Sequence, residues 1–142
     1  DWNSVQSSLK SWIIFLSGEA NFTLGIPDFS LGALLLELGR PVTFTAVTPS
    51  TQSELHGHRN EGVFLNGYRI RRTLSKVESQ LAIILGPDKY NGEGLGQFKY
   101  IRQSGNELED MTIVLNGRAQ KIFGEPRDTT LKVLLEHFIK PT

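Results

Sequence analysis

Two histidines and a glutamate form the pattern in this sequence that is most typical of a metal site. His56 and His58 flank Gly57, and Glu61 follows. Alternate residues of a strand face the same way, so both imidazoles could contact one metal ion, as in the His-x-His and Glu arrangement of cupins. The interval from His58 to Glu61 is shorter than in that arrangement, and the third histidine, His137, falls in a predicted helix. Metal binding by His56, His58 and Glu61 is therefore an alternative interpretation, and the main one has no cofactor.

Basic residues recur along one predicted β-ribbon. On a strand, Arg69 and Arg71 would share one face, and guanidinium groups suit the phosphates of lipid headgroups or nucleic acid. Each charge adds only about 1 kcal/mol of attraction to an anionic membrane, so such a patch must act collectively. A solvated strand face with local ion pairs would explain the same residues. The predicted contact surface for an anionic membrane or a nucleocapsid consists of Arg69, Arg71, Arg72 and Lys76.

A glycine-rich segment, residues 86–96, is predicted to be a mobile loop, because it holds four glycines and one proline. It lacks the Gly-x-x-x-x-Gly-Lys-Ser/Thr motif, and no helix start follows it, so the physical basis for cradling a phosphate is missing. The loop is instead predicted to contact a partner or a membrane through Tyr90 and Leu95.

Catalytic patterns are missing from the sequence. There is no Gly-x-Ser-x-Gly motif and no cysteine nucleophile. The acidic residues Glu107, Glu109 and Asp110 fall at a predicted turn and are interpreted as solvated. The sequence is therefore interpreted as that of a binding or assembly module and not of an enzyme.

Composition sets the broad class. The chain has 142 residues, of which 39% are hydrophobic, and these values predict one globular domain over residues 1–142. With 15 basic and 15 acidic residues, the neutral chain is not expected to bind nucleic acid by charge or in a sequence-specific way. No apolar run reaches the roughly 20 residues that a membrane helix needs. A flexible leader before Asp1 is possible in this interpretation.

These residues must be positioned by a chain of predicted elements. Apolar residues at helical spacing predict amphipathic helices over residues 4–17 and 28–38. Strands are expected next, and Asn-Gly marks two of the turns between them. A last helix begins at Asp128. The strands are predicted over residues 42–47, 63–65, 68–74, 81–85, 98–102, 111–115 and 119–123. The fold class is therefore α+β, with an antiparallel sheet packed against two N-terminal helices and one C-terminal helix.

The order of elements resembles the globular core of rhabdovirus matrix proteins. The resemblance lies in Leu9–Trp12 with Leu16–Gly18, in the apolar segment Leu34–Val42, and in the basic strand Tyr68–Leu74. The loop at Gly86–Pro87 takes the place of a mobile segment in that family. The chain departs from the family in having no basic N-terminal tail and no Pro-Pro-x-Tyr motif.

The resemblance implies a structural viral protein that acts in virion assembly and budding. Its partners would be other copies of itself, an anionic lipid membrane, and the nucleocapsid or another viral protein. It would be found in the host cytoplasm, at the inner face of the membrane, and in the virion, whereas a protein that is not viral is expected to be cytoplasmic. Two alternatives remain open from the residues: a cupin-like metal-binding protein, and an adaptor domain that binds a peptide at an exposed strand edge.

Overall fold

Nine strands form two sheets in the computed structural model, which describes residues 2–70, 80–86, 92–119 and 121–139. The strands of the first sheet lie in chain order: β1 (Lys10–Ser17), β2 (Ser30–Glu37), β3 (Arg40–Thr48), β4 (Ser53–His58), β5 (Gly62–Leu65) and β6 (Tyr68–Arg69). The second sheet places β7 (Leu81–Leu85) between β8 (Tyr100–Arg102) and β9 (Lys121–Gly124). The helices are α1 (Trp2–Ser7), α2 (Glu19–Thr23), α3 (Glu107–Leu115) and α4 (Thr129–Leu134), and a π-helical turn extends α4 over Leu135–Ile139.

The first sheet is an antiparallel meander held in register by tight turns. Between β2 and β3 the turn residues Leu38 and Gly39 have φ values of 49° and 77°. Between β5 and β6, Asn66 and Gly67 have φ values of 51° and 84°. Two successive positive φ values match a type I′ turn, whose twist fits that of the flanking strands. The hairpin predicted at Asn66-Gly67 is therefore confirmed.

The two helices predicted over residues 4–17 and 28–38 are wrong. Most of these residues form β1 and β2, which pair antiparallel from Lys10↔Glu37 to Ser17↔Ser30. Trp12 to Phe15 is a continuous apolar run of aromatic and β-branched residues, and such a run satisfies helical and strand periods alike. Pairing with β3 settles the conformation, because it makes β2 an interior strand.

The second sheet is parallel. β7 pairs in parallel with both β8 and β9, and its residues from Ala82 to Leu85 are buried. The strand and hairpin predicted around Met111–Leu115 and Asn116-Gly117 are wrong, because this segment is α3 and its last turn. The local signal for the helix was present: Asn106 is the N-cap and Glu109 stands three residues later, a spacing typical of helix starts.

The hydrophobic core lies between the first sheet and the helices that follow it. The Phe44 ring packs against Phe138 of the π-helical turn, with ring centroids 4.9 Å apart. Leu34, Met111 and Leu134 are fully buried in the same cluster. The predicted α+β class, with an antiparallel sheet packed against helices, is confirmed. The predicted helix cap at Asp128 is confirmed as well.

The other face of the first sheet carries exposed apolar side chains near its β1 edge. Trp12 is 62% exposed and Ile14 is 75% exposed, and Leu31 on β2 and Val47 on β3 are also exposed. The strands thus place apolar residues on both faces at this edge, which is why their periodicity misled the sequence interpretation. Within the described ranges, no helix is both long enough and apolar enough to cross a membrane.

Candidate active site

A cleft, called here the main cleft, lies where the two sheets meet the starts of α3 and α4. Its volume is about 580 Å³. The end of β1, helix α2, the end of β7 and the loop after β8 all contribute to it. Ligands of α/β proteins commonly bind outside the carboxyl ends of parallel strands, and β7 and β8 both end here. The polar residues used below are Ser17, Glu19, Glu107, Asp110, Arg127 and Asp128.

A buried hydrogen-bond network fastens the first sheet to α3 beneath the cleft. The Ser17 hydroxyl donates to Asn106 Oδ1 at 2.8 Å, and it accepts from the backbone N–H of Leu108 at 3.0 Å. Asn106 Nδ2 in turn donates to Ser30 Oγ at 2.9 Å. Ser17, Ser30 and Asn106 are almost completely buried. Since buried polar groups are costly unless paired, this network fixes how the paired ends of β1 and β2 sit on α3.

Two glycines allow the backbone around the cleft to close up. Gly18 has a φ of +87°, and a Cβ there would lie 2.8 Å from the Asp28 carbonyl oxygen. Gly105 has a φ of +88°, and a Cβ there would lie 2.9 Å from Asn21 Nδ2. That amide donates to the carbonyl oxygens of Asp28, at 2.8 Å, and Ser104, at 3.1 Å. Only glycine combines the left-handed backbone with this close approach.

Two carboxylates of the cleft are bonded to the backbone of neighbouring elements. Glu107 accepts from the backbone N–H of Gly86 at 3.3 Å through Oε1, and from that of Arg127 at 3.1 Å through Oε2. It therefore joins the end of β7 to the loop before α4. Asp128 caps α4, because its Oδ1 accepts from the N–H of Thr130 at 2.6 Å and of Leu131 at 3.4 Å.

A third cleft carboxylate, Asp110, is buried and ion-paired. Its side chain is 1% exposed, and Arg102 Nε donates to its Oδ1 at 2.7 Å. The Ser104 hydroxyl donates to Oδ1 at 2.8 Å, and the Ser104 N–H donates to Oδ2 at 3.1 Å. Both oxygens are thus engaged, as a buried carboxylate requires. The pair anchors the loop after β8 to α3.

Glu109 has an unusual protonation behaviour. Burial, followed by a hydrogen bond with the Asp28 carboxyl and repulsion from its charge, raises the pKa of Glu109 to about 7. Arg102 opposes this shift, and Asp110 adds a smaller repulsion. Two carboxyl groups can hydrogen-bond to each other only if one keeps its proton. Below about pH 7 the protonated Glu109 can therefore donate to the Asp28 carboxylate, which joins the segment before β2 to α3.

We expect the free energy of unfolding to depend on pH through Glu109. The native carboxyl holds its proton up to about pH 7, whereas the ordinary pKa is 4.5. The native state thus binds more protons between these values, so the stabilisation is complete below pH 4.5 and is lost as the pH rises through about 7. Between about pH 5 and about pH 8, the free energy of unfolding should fall by up to about 1 kcal/mol more in the unaltered chain than in Glu109→Gln, as measured by urea unfolding. This value is reduced because Glu109 is partly exposed. Parallel pH profiles would contradict this, and the exposed Glu136→Gln serves as the control.

Of the basic residues predicted to contact a membrane or nucleocapsid, the structure describes Arg69 alone. Arg69 is exposed at the end of β6, and its guanidinium lies beside Gly62. Arg71, Arg72, Lys76 and Tyr90 lie outside the described residues. Leu95 is half-buried in a single helical turn, Leu95–Gln97. The surface predicted from these residues stays a prediction.

The His-Gly-His segment does not form a metal site within the described ranges. His56 and His58 are exposed on β4, and the His56 ring stacks on Phe64 at 5.0 Å between centroids. His58 Nδ1 lies 3.9 Å from Glu61 Oε2. No group of three or more metal-ligating side chains occurs among the residues described. β4 lies within an open antiparallel sheet and not in a cupin barrel, so the second imidazole has no facing strand motif.

The sequence interpretation missed the residues that line the main cleft. It placed Glu107, Glu109 and Asp110 at a solvated turn, whereas Asp110 is buried and paired and Glu109 is joined to Asp28. Ser17 and the adjacent pair Arg127 and Asp128 come from distant parts of the chain, and no local pattern connects them. Two helix caps pointed toward this region: Asp128 before α4, which the sequence interpretation recognised, and the capping spacing at Asn106, which it did not.

Sequence comparison finds two relatives that are named as phosphatases. An inositol-1-monophosphatase of Rhizobium meliloti is 30% identical over 120 residues, which cover 75% of this chain and 45% of that protein. A fructose-1,6-bisphosphatase of Pyrococcus furiosus is 38% identical over 56 residues, 39% of this chain and 22% of that protein. The chain thus spans less than half the length of these curated relatives. No protein-family model matches it.

Solved structures show the same fold. The MJ0109 gene product, an inositol monophosphatase-fructose 1,6-bisphosphatase, superposes with a TM-score of 0.76 over 94% of this chain and 54% of its own, at 22% identity. An extragenic suppressor from Pyrococcus furiosus superposes with a TM-score of 0.61 over 75% of this chain and 43% of its own, at 26% identity.

These findings overturn the assignment to rhabdovirus matrix proteins. The patches that suggested it, such as Leu9–Trp12 and Tyr68–Leu74, are short and describe generic amphipathic elements. The structural, non-enzymatic viral function, with virion assembly and budding, is wrong for the same reason, because the relatives are named as phosphatase enzymes. The cupin-like and adaptor alternatives gain no support. By sequence and by fold, this chain is similar to inositol monophosphatases and fructose-1,6-bisphosphatases.

Proposed function

We propose that the main cleft binds a small phosphorylated polyol or sugar, and that the chain serves in hydrolysis of the phosphate ester. The observation that carries this proposal is the 30% identity, over 120 residues, with an enzyme named inositol-1-monophosphatase. The fold shared with MJ0109 over 94% of the chain supports it. The substrate class comes from the relatives' names, which combine a cyclic polyol and a ketose with phosphate.

One cation and the volume of the cleft are compatible with such a ligand. Among the described lining residues, Arg127 is the one cation. A guanidinium can donate two parallel hydrogen bonds to a phosphate, which makes it the side chain best suited to a phosphate monoester. The volume of about 580 Å³ falls within the usual range for small-molecule sites. Leu16, Leu24 and Ile84 add apolar wall on which a sugar ring can pack.

The position of Arg127 is fixed by its neighbours. Its backbone N–H donates to Glu107 Oε2, and its side-chain Cγ would lie 3.8 Å from a Cβ placed on Gly86. Asp128, the next residue, starts α4. Because β7, α3 and α4 all meet at this residue, the core of the fold holds the backbone from which its side chain extends.

Arg127→Gln is expected to weaken binding of inositol 1-phosphate by about 10- to 100-fold. The reason is the loss of a charge-assisted hydrogen bond, which contributes about 1.5 to 3 kcal/mol. Calorimetric titration of the purified chain measures this directly, and assay of released phosphate from inositol 1-phosphate and fructose 1,6-bisphosphate tests hydrolysis.

The matched control is Arg40→Gln. Arg40 is exposed at the β2–β3 turn, where Glu37 pairs with Lys10, so it lies at the opposite end of the sheet from Ser17. It should bind the phosphate ester as the unaltered chain does. An equal loss of affinity in both variants would show that the effect comes from the net charge of the chain and not from the position of Arg127. No binding of either ester by the unaltered chain would refute the proposed function.

A further inference from the structure

The main cleft differs in one respect from what phosphate-ester hydrolysis commonly uses. Many phosphatases hold two divalent cations about 3.5 to 4 Å apart, and these cations clamp the attacking and leaving oxygens. Such cations need several oxygen ligands, of which carboxylates are the strongest. Across the described parts of the chain, no three residues among His, Cys, Asp and Glu come together in a way that could hold a metal.

The reason is visible in how each cleft carboxylate is used. One carboxylate oxygen of Glu107 accepts from the backbone N–H of Gly86, and the other accepts from that of Arg127. Asp110 has both oxygens bonded, to Arg102 and to Ser104, and is buried. Turning either one toward a cation would leave donors of the backbone or of Arg102 without their acceptors, which is costly for buried groups.

The remaining acidic residues of the main cleft do not supply the missing metal ligands. Asp128 is committed through Oδ1 to the cap of α4, and Glu19 is exposed at the start of α2. The end of β1 faces the cleft with Leu16, Ser17 and Gly18, none of which carries a charge. The Ser17 hydroxyl is already bonded to Asn106 and Leu108.

We infer that the main cleft of this chain holds no divalent cation and that Arg127 supplies the positive charge for a phosphate group there. The part concerning Arg127 rests on the proposed function, whereas the part concerning the cation rests on the carboxylates alone. Hydrolysis that depends on a divalent cation would then need carboxylates from outside the described residues.

Paramagnetic resonance with Mn²⁺, in the absence of any phosphate ester, tests the cation directly. We expect the signal of free Mn²⁺ to be unchanged when the purified chain is added, up to about 1 mM metal, a range that includes weak protein sites. Binding of one or more Mn²⁺ per chain that is lost in Asp128→Asn would overturn the inference and leave the proposed function intact.

Titration with inositol 1-phosphate, once in excess EDTA and once in MgCl₂, tests the role of Arg127. The dissociation constants should agree within about twofold, and Arg127→Gln should weaken binding about equally in both buffers, because a charge contact does not involve the metal. Binding seen only with Mg²⁺ would overturn the inference. If neither buffer gives binding while Mn²⁺ also stays free, the proposed function fails and the conclusion about the cation stands.

Discussion

Arg102→Met is expected to lower the free energy of unfolding by about 3 kcal/mol, the low end of the range for breaking a buried ion pair. The substitution removes the donor that lies 2.7 Å from Asp110 Oδ1, while Asp110 itself stays 1% exposed. Among the residues that the structure describes, Ser104 alone would then donate to this buried charge. Urea unfolding followed by circular dichroism measures the loss.

The control for this substitution is Arg40→Met, which makes the same side-chain change on the surface. It should alter the free energy of unfolding by less than about 0.5 kcal/mol, as is usual for surface positions. A second test adds Asp110→Asn to Arg102→Met. The neutral amide removes the unpaired charge, so the double variant should recover at least about 1 kcal/mol. If the losses of stability caused by the two substitutions simply added, the ion pair with Asp110 would not be the reason that Arg102 stabilises the fold.

Asn106→Ala is expected to cost about 3 kcal/mol as well. The amide caps α3 by accepting from the Glu109 N–H, and it satisfies two buried hydroxyls, those of Ser17 and Ser30. Losing a cap costs about 1 kcal/mol, and each buried group left without a partner adds about 1 kcal/mol or more. The same urea experiment applies, and amide exchange at Leu108 should accelerate because its acceptor Ser17 loses its anchor.

Asn116→Ala provides the matched control at the other end of α3. Asn116 is the C-cap, is half-buried, and already has helical backbone angles, so alanine fits there without strain. A change below about 0.5 kcal/mol is expected. If Asn106→Ala were as mild as this control, the network under the cleft would not be what holds the first sheet on α3.

The sequence was informative where a local pattern has one physical solution. Asn66-Gly67 supplies two positive φ values, and few structures other than a tight hairpin use them. Asp128 ahead of an amphipathic run indicated the start of α4, and the apolar run Leu81–Leu85 indicated a buried strand. These features together were enough for the α+β class.

The sequence was misleading where an apolar run fits two periods. Trp12–Phe15 and Leu34–Leu36 can be arranged as a helical stripe, yet they lie in paired strands with side chains on both faces. The hydrogen-bond ladders that favour the strands join β1 to β2 and β2 to β3, and the period of a single segment does not reveal these partners. α3 was missed for a related reason: Asn106 is held by hydrogen bonds with Ser17 and Ser30, which are 89 and 76 residues away in the chain.

The candidate site shows this division most clearly. Residue types and local turns determined by themselves that the chain has a mixed fold without cysteine chemistry. Only the tertiary structure placed Ser17, Asp110 and Arg127 around one cleft, and only it showed that Glu107 and Asp110 are already bonded. The physical reason is that a side chain's chemistry depends on the donors and charges around it, and these come from distant segments that meet only when the sheets and helices pack.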